Sequence, residues 1–384
     1  MTSMWIEGDT MLKKKFYDSL FHWFGPMKPA VFLSLLMLSL LFGCIIPVTA
    51  DSDSRILIDG AGREVTIPSE PDSFISLYPG TTRLLVAFNK EDAISGLDSY
   101  SKRCPIMSVV APSLQDTVDV GNPYSGTLSL ESIAFAKPDV IVMSASLKDM
   151  ADSIQTDLNI PVVCFKQEFG DYTDLLESIT LAGDVVGDDE RAKELNEFIS
   201  SQYDPLTSLR DLPEEEKPFV LVINQPHGDN PLTVWATNPS GSSNLKTALD
   251  YSGAINAASD LEYKPGGSPW RSVSLEQIMN WNPDYLFIHP MGNLTPRDIL
   301  ELPDWKDLQA VKNKNVYKVC IEYVGYDPAQ MAVQSMHMGH IIHPEKFTGS
   351  SFNDKANEVF AFVYNTSSVY NSLESKLGLS RVPS

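Results

Sequence analysis

SLESIAFAKPDVIVMSAS occupies Ser129–Ser146, and SLEQIMNWNPDYLFIHPM occupies Ser274–Met291, 145 positions further on. Six of the first eleven positions are identical. At the same offset FISL, beginning at Phe74, falls on FVLV, beginning at Phe219, so two apolar runs recur in the same order and at the same separation. Within the phrase Leu130, Ile133 and Ala134 share one helical face, Pro138 ends the helix, and VIVM follows as an unbroken apolar run. Helix, stop and buried strand is the pattern of a parallel sheet covered on both faces, so each half of the chain reads as an α/β layer.

At 384 residues the chain exceeds one comfortable hydrophobic core, and two domains are expected. A net charge of −21, with few clustered basic residues beyond the N-terminus, speaks against a nucleic-acid surface. Residues 1–50 read as an export segment: Lys13, Lys14, Lys15 and Lys28 precede an apolar stretch that ends in small residues before the polar DSDS at Asp51. Three fates stay open for it. Val48-Thr49-Ala50 fits a cleavage site, Leu41-Phe42-Gly43-Cys44 resembles a lipoprotein box with Cys44 as the lipid attachment, and an uncleaved segment is long enough to span a bilayer. All three place the remainder outside the cytoplasm, in the periplasm or at the outer face of the cytoplasmic membrane.

Cys104, Cys164 and Cys320 remain, an odd number with no CxxC spacing; Cys164 and Cys320 lie in strand-like runs and read as buried thiols. ILIDGAGREVTIP reads as a hairpin with Gly60 and Gly62 at its turn, and strand and helix signals alternate from FISL to IPVVCF. A helix follows in TDLLESITLAGDVVG, then a longer one over residues 188–212. The alternation resumes at Phe219 and runs to VYKVC, with two more helices expected near Ala329–His343 and Asn353–Tyr370.

The exported start, GREVTIP, the loop YPGTTRLL, the repeated SLExI with its following PD, WKDLQAVKNKNVY and the late HPEKF together resemble the substrate-binding proteins of metal-chelate ABC importers, over residues 56–364. The resemblance implies an α/β fold of two lobes with mainly parallel sheets joined by a single long helix, the class III arrangement of periplasmic binding proteins. The expected division is a lobe at 56–187, the linking helix at 188–212 and a second lobe at 217–384 that includes the C-terminal helices. The resemblance also implies a cargo, an iron–siderophore first and haem, a corrinoid such as cobalamin or a bare metal ion as alternatives, with no covalently held cofactor. The partner would be a dimeric permease with its ATPase, and the protein itself a monomer. Glu131 and Glu276 stand where the cobalamin-binding relative meets permease arginines; a carboxylate in the first turn of a helix also favours the helix by itself.

Ligands of open α/β sheets lie beyond the carboxyl ends of the strands. The loops there offer Tyr78, Thr81, Thr82, Ser144, Ser146, Asn224, His227 and His289, with Trp235, Trp270, Arg271, Tyr323 and Tyr326 in or beside loops. Aromatic walls with a few placed charges suit a bulky chelate, and Arg271 could fork onto carboxylate or hydroxamate oxygens. YPGTTRLL lacks the spacing of a phosphate loop. His337, His340 and His343 in HMGHIIH do not converge as an i, i+4 pair would. No GxSxG elbow or oriented histidine supports an exported hydrolase, and a bare metal cargo would need more ligating side chains in the cleft than His227 and His289.

Overall fold

The computed structural model describes residues 54–166, 172–224, 233–235, 244–261, 270–290, 293–347, 349 and 351–379. Strands β1 (Ser54–Ile58) and β2 (Glu64–Pro68) form the expected antiparallel hairpin. Asp59 locks its turn by accepting from the Ala61 and Arg63 N–H groups, and accepts from the Cys164 N–H across the molecule.

The first sheet has the order β5-β4-β3-β6-β7, all parallel: β3 (Phe74–Ser76), β4 (Ile94–Leu97), β5 (Val118–Asp119), β6 (Val140–Ser144) and β7 (Val162–Phe165). All five residues of β6 are buried, as a strand covered on both faces requires. Helices α1 (Pro79–Ala87), α2 (Leu130–Ala136) and α3 (Lys148–Leu158) lie between these strands, and α4 (Tyr172–Val186) follows β7.

The span expected as one helix over 188–212 is α5 (Asp189–Tyr203), capped by the Asp188 carboxylate, then a 3-10 turn at Asp204–Leu206 and one further helical turn at Thr207–Arg210. Pro205, without an N–H and with its ring against the preceding turn, accounts for the tightening.

In the second sheet β8 (Phe219–Asn224), β12 (Tyr285–Ile288) and β13 (Val316–Lys318) are parallel, β10 (Ile255–Asn256) pairs parallel with β8, and β9 (Thr233–Trp235) and β11 (Trp270–Ser272) add an antiparallel edge. Helices α6 (Asn244–Tyr251) and α7 (Leu275–Trp281) belong to this half, and α8 (Pro328–Ile342), α9 (Phe352–Tyr364) and α10 (Val369–Leu377) follow it.

The doubled phrase folds the same way twice. Ser129 and Ser274 cap α2 and α7, accepting from the N–H groups of Ser132 and Gln277, and each helix stops at a left-handed residue, Lys137 (φ 50°) or Asn282 (φ 45°). The aspartate after the proline then clips the neighbouring strand. Asp139 accepts from the Asp72 and Ser73 N–H groups, Asp284 from the Phe219 N–H. Cap, stop and clip thereby deliver β6 beside β3 and β12 beside β8.

The C-terminal helices depart from the expected division. Left-handed Asn365 and Ser368 divide the second of them into α9 and α10. More consequentially, Met331, Val333, Phe352, Phe360, Tyr370 and Leu373 share one core with Phe74, Leu84 and Val142 of the first lobe and Leu195 of α5. The reason lies in α8: every residue except His340 is buried, and a helix apolar on most of its circumference must be covered all round. Its Met338, Ile341 and Ile342 pack with Val220 and Phe287 of the second sheet. With α8 wedged into both cores, little hinge rotation is available. Cargo binding should leave the radius of gyration from small-angle scattering essentially unchanged; a clear contraction would mean that α8 leaves one of its cores.

Candidate ligand cleft

The first lobe brings together Tyr78, Tyr124, Ser144 and Ser146 at the ends of β3 and β6. Tyr78 and Tyr124 rings tilt against each other with centroids 5.8 Å apart. Tyr124 Oη lies 3.1 Å from Ser146 Oγ, which lies 2.7 Å from Ser144 Oγ. Burial pushes the Tyr78 and Tyr124 hydroxyls up from their ordinary pKa, so both stay neutral.

Thr81 and Thr82, expected to face the cleft, turn inward. Both are buried; Thr81 Oγ1 lies 2.8 Å from Ser76 Oγ, and Thr82 Oγ1 lies 2.8 Å from Ser76 Oγ and 2.9 Å from Ser101 Oγ. Their hydroxyls are consumed in fastening the strand-to-helix turn. The glycine of YPGTT serves a close approach: a Cβ on Gly80 would meet Tyr326 N at 2.9 Å, and one on Gly325 (φ 85°) would meet Gly80 N at 2.6 Å.

That contact belongs to the segment Cys320–Asp327, which carries the chain from the second sheet back to the first lobe. Arg83, fully buried on α1, holds it: the guanidinium donates to the carbonyls of Val324 and Tyr326 and lies 3.3 Å from Asp327, which also accepts from Tyr364 Oη at 2.6 Å. Gln330 braces the Tyr323 N–H. Tyr323 itself is a strut, its hydroxyl donating to the Tyr100 carbonyl at 2.8 Å and pushed up by burial to about 12. Tyr326 is buried in the same node.

The second wall lies beyond β8, β12 and β13. Asn224 is half-buried at the end of β8. Trp235 packs into the second lobe's core with Val222 and Met338, and meets Trp270 edge-on at 5.1 Å. Trp270 in turn meets His289 edge-on at 5.3 Å, and His289 Nε2 stands 3.5 Å from Glu322 Oε2. Arg271 follows Trp270 in β11, so the two side chains leave opposite faces of the strand. Its guanidinium donates to the Trp270 carbonyl at 3.2 Å.

Glu322 is the residue that sequence reasoning passed over. Burial pushes its carboxyl up to about 8, with the neighbouring Gln334 amide pulling the other way. The signal was present: an acid in VCIEYVGY, directly after the last parallel strand. His227 and Cys44 lie outside the described residues.

The HMGHIIH histidines diverge into packing contacts. His337 packs on Phe352 at 5.2 Å, His340 stacks on Phe347 at 3.7 Å, and His343 Nε2 lies 3.5 Å from the Gly253 carbonyl. Among the described residues no group of three or more His, Cys, Asp or Glu side chains could hold a metal ion, and Cys104, Cys164 and Cys320 are buried free thiols. Glu131 and Glu276 are both exposed, each in the first turn of its helix.

The family profile described as periplasmic binding protein matches residues 75–319. The chain is 25% identical over 361 residues to the molybdate-binding protein MolA of Haemophilus influenzae, covering 86% of this chain and 97% of that one. It is 26% identical over 274 residues to the Fe(3+)-citrate-binding protein YfmC of Bacillus subtilis, covering 69% and 78%. Among solved structures, a periplasmic solute-binding protein from Veillonella parvula superposes with a TM-score of 0.68 at 24% identity, covering 83% and 96%. MolA bound to molybdate superposes with a TM-score of 0.67 at 20% identity, covering 82% and 98%. The chain therefore belongs to the periplasmic binding protein family, as an exported solute-binding protein of an ABC importer and not an enzyme.

Proposed function

We propose that the protein captures a metal chelate between its lobes, an iron–siderophore first among candidates, and presents it to the importer's permease. The observation that carries this is the make-up of the two walls: tyrosine and serine hydroxyls on the first lobe, and an indole, imidazole and carboxyl array on the second. Flat apolar faces with few polar groups suit a bulky complex, whereas a bare cation asks for converging carboxylates and imidazoles. A second reading, a compact oxyanion held by hydroxyl and amide donors, is favoured by the match to the molybdate-binding protein over nearly the whole of both chains.

Tryptophan fluorescence of residues 51–384, with Trp270 beside His289 as the reporter, separates these readings. The titrants are ferric siderophores, ferric citrate, haem, cobalamin, molybdate and free divalent ions. Saturation by a ferric chelate and no response to free ions is expected. Saturation by molybdate alone moves the reading to an oxyanion, and tight binding of a bare divalent ion rejects both.

A further inference from the structure

Several buried polar atoms of the second lobe and α8 are incompletely matched. Glu322 Oε2, both amide atoms of Gln334 and the Trp235 indole nitrogen are out of solvent and make no well-formed hydrogen bond, although Gln334 lies close enough to Glu322 to pull its carboxyl pKa down and His289 Nε2 stands 3.5 Å from Oε2. Native proteins leave few such groups, because each one unmatched is destabilising, and water or a ligand commonly accounts for those that remain. These groups are contiguous. Trp235 meets Trp270, Trp270 meets His289, His289 faces Glu322, and Gln334 stands beside Glu322. His289 and Glu322 follow β12 and β13, which are parallel neighbours, so the group sits at the carboxyl ends of the strands. Glu322 is also held in place, since the segment that carries it is pinned by Arg83 and Gln330.

We propose that Glu322 and Gln334 form an anchor at the floor of the cleft for an anionic oxygen of the cargo, a carboxylate, hydroxamate or oxo group. The proposal rests on the reading of the cleft as the cargo site and adds to it the chemistry that the floor selects. Gln334 brings two N–H donors, neither of them held in a well-formed hydrogen bond and the Glu322 carboxyl beside them, and a carboxylic acid at position 322 brings another, whereas a carboxylate there would repel an anion. Burial favours the acid, with the Glu322 carboxyl pushed up to about 8. The titratable groups facing it are His289 from the loop after β12 and the Cys320 thiol of its own segment; α8 contributes the uncharged Gln334. An anion that binds the acid form takes up a proton above that pKa. Affinity is therefore full well below pH 8 and falls by about tenfold per pH unit as pH rises past about 8.

Ferric citrate, molybdate and haem, titrated into residues 51–384 from about pH 6 to about pH 10, test this with wild type, Glu322→Gln and Gln334→Leu. At least one probe should bind. Glu322→Gln should match wild type at the acid end and hold its affinity at the alkaline end, because an amide keeps a donor and cannot ionise. Comparing both proteins on one probe cancels the probe's own titration. Gln334→Leu should weaken binding about tenfold at every pH, as the loss of one hydrogen bond to a charged group does. Circular dichroism melting shows whether each variant is folded at the assay temperature. Wild-type protein also supplies a readout free of mutation: on the alkaline side of the Glu322 pKa the binding heat should depend on the buffer's ionisation enthalpy, reporting proton uptake. Parallel pH profiles for wild type and Glu322→Gln, or binding without proton uptake, overturn the anchor and leave the cleft reading standing. Binding of none of the three anions overturns the anionic cargo itself.

Discussion

Replacing Glu131 and Glu276 together by lysine is expected to abolish uptake through the cognate importer while leaving cargo affinity within about twofold. Both carboxylates are exposed, and each sits in the first turn of a helix built to one plan: a serine cap, seven residues and a left-handed stop. The repeat therefore presents the same charge from each lobe, as a dimeric receptor would require. Charges at the rim of an interface act chiefly on encounter rate and register, and like-charge contacts exclude a partner more strongly than a missing contact weakens it. Charge reversal is thus the severe test, and alanine at both positions should give a milder defect. The measurement is paired, cargo affinity of the purified variant and transport in vesicles holding the importer. Normal transport by the lysine variant would leave the carboxylates as helix-terminus residues only. Joint loss of affinity and transport would assign them to the fold or the cleft instead.

The largest loss of stability should come from Arg83→Met. The side chain is fully buried, and removing its charge leaves Asp327 without its cation and the Val324 and Tyr326 carbonyls without their donor. Breaking a buried pair from one side costs about 3–5 kcal/mol, read from the midpoint and slope of urea unfolding. Tyr364→Phe removes one hydrogen bond of the same node and should cost about 1–3 kcal/mol. A loss below about 1 kcal/mol for Arg83→Met would show that water reaches Asp327 and substitutes for the guanidinium.

The two sheets and the doubled helix-strand unit were legible because their signals are local. A serine cap, an apolar run and a Pro-Asp pair state their own geometry within a few residues. The division of the core was not legible, since nothing in FNDKANEVFAFVY says which lobe its apolar face will meet. The site fared unevenly for a related reason. Tyr78, Ser144, Trp270 and His289 do stand at strand ends. Thr81 and Thr82 satisfy their hydroxyls inside the turn that brings them there, and the strand alternation separates Arg271 from Trp270. Glu322 and Gln334 gain their meaning only when α8 and the returning segment Cys320–Asp327 meet. A window of sequence holds both, but nothing in it says that the segment carrying Glu322 turns back so that Gln334 of α8 stands beside its carboxyl.

The sharing of one core between β3, β6 and helices α8 to α10 also sets an order of events in the life of the chain. Domains ordinarily fold as they emerge, the N-terminal one first. Here Phe74 and Val142 of the first sheet and Leu84 of α1 complete their core only when Phe352, Phe360 and Leu373, synthesised much later, have arrived. A chain arrested before α8 should remain loose and open to proteases throughout its first half. The same delay keeps the first half in a threadable condition until α8 to α10 have been made, which is the condition in which a protein destined for the far side of a membrane has to reach it.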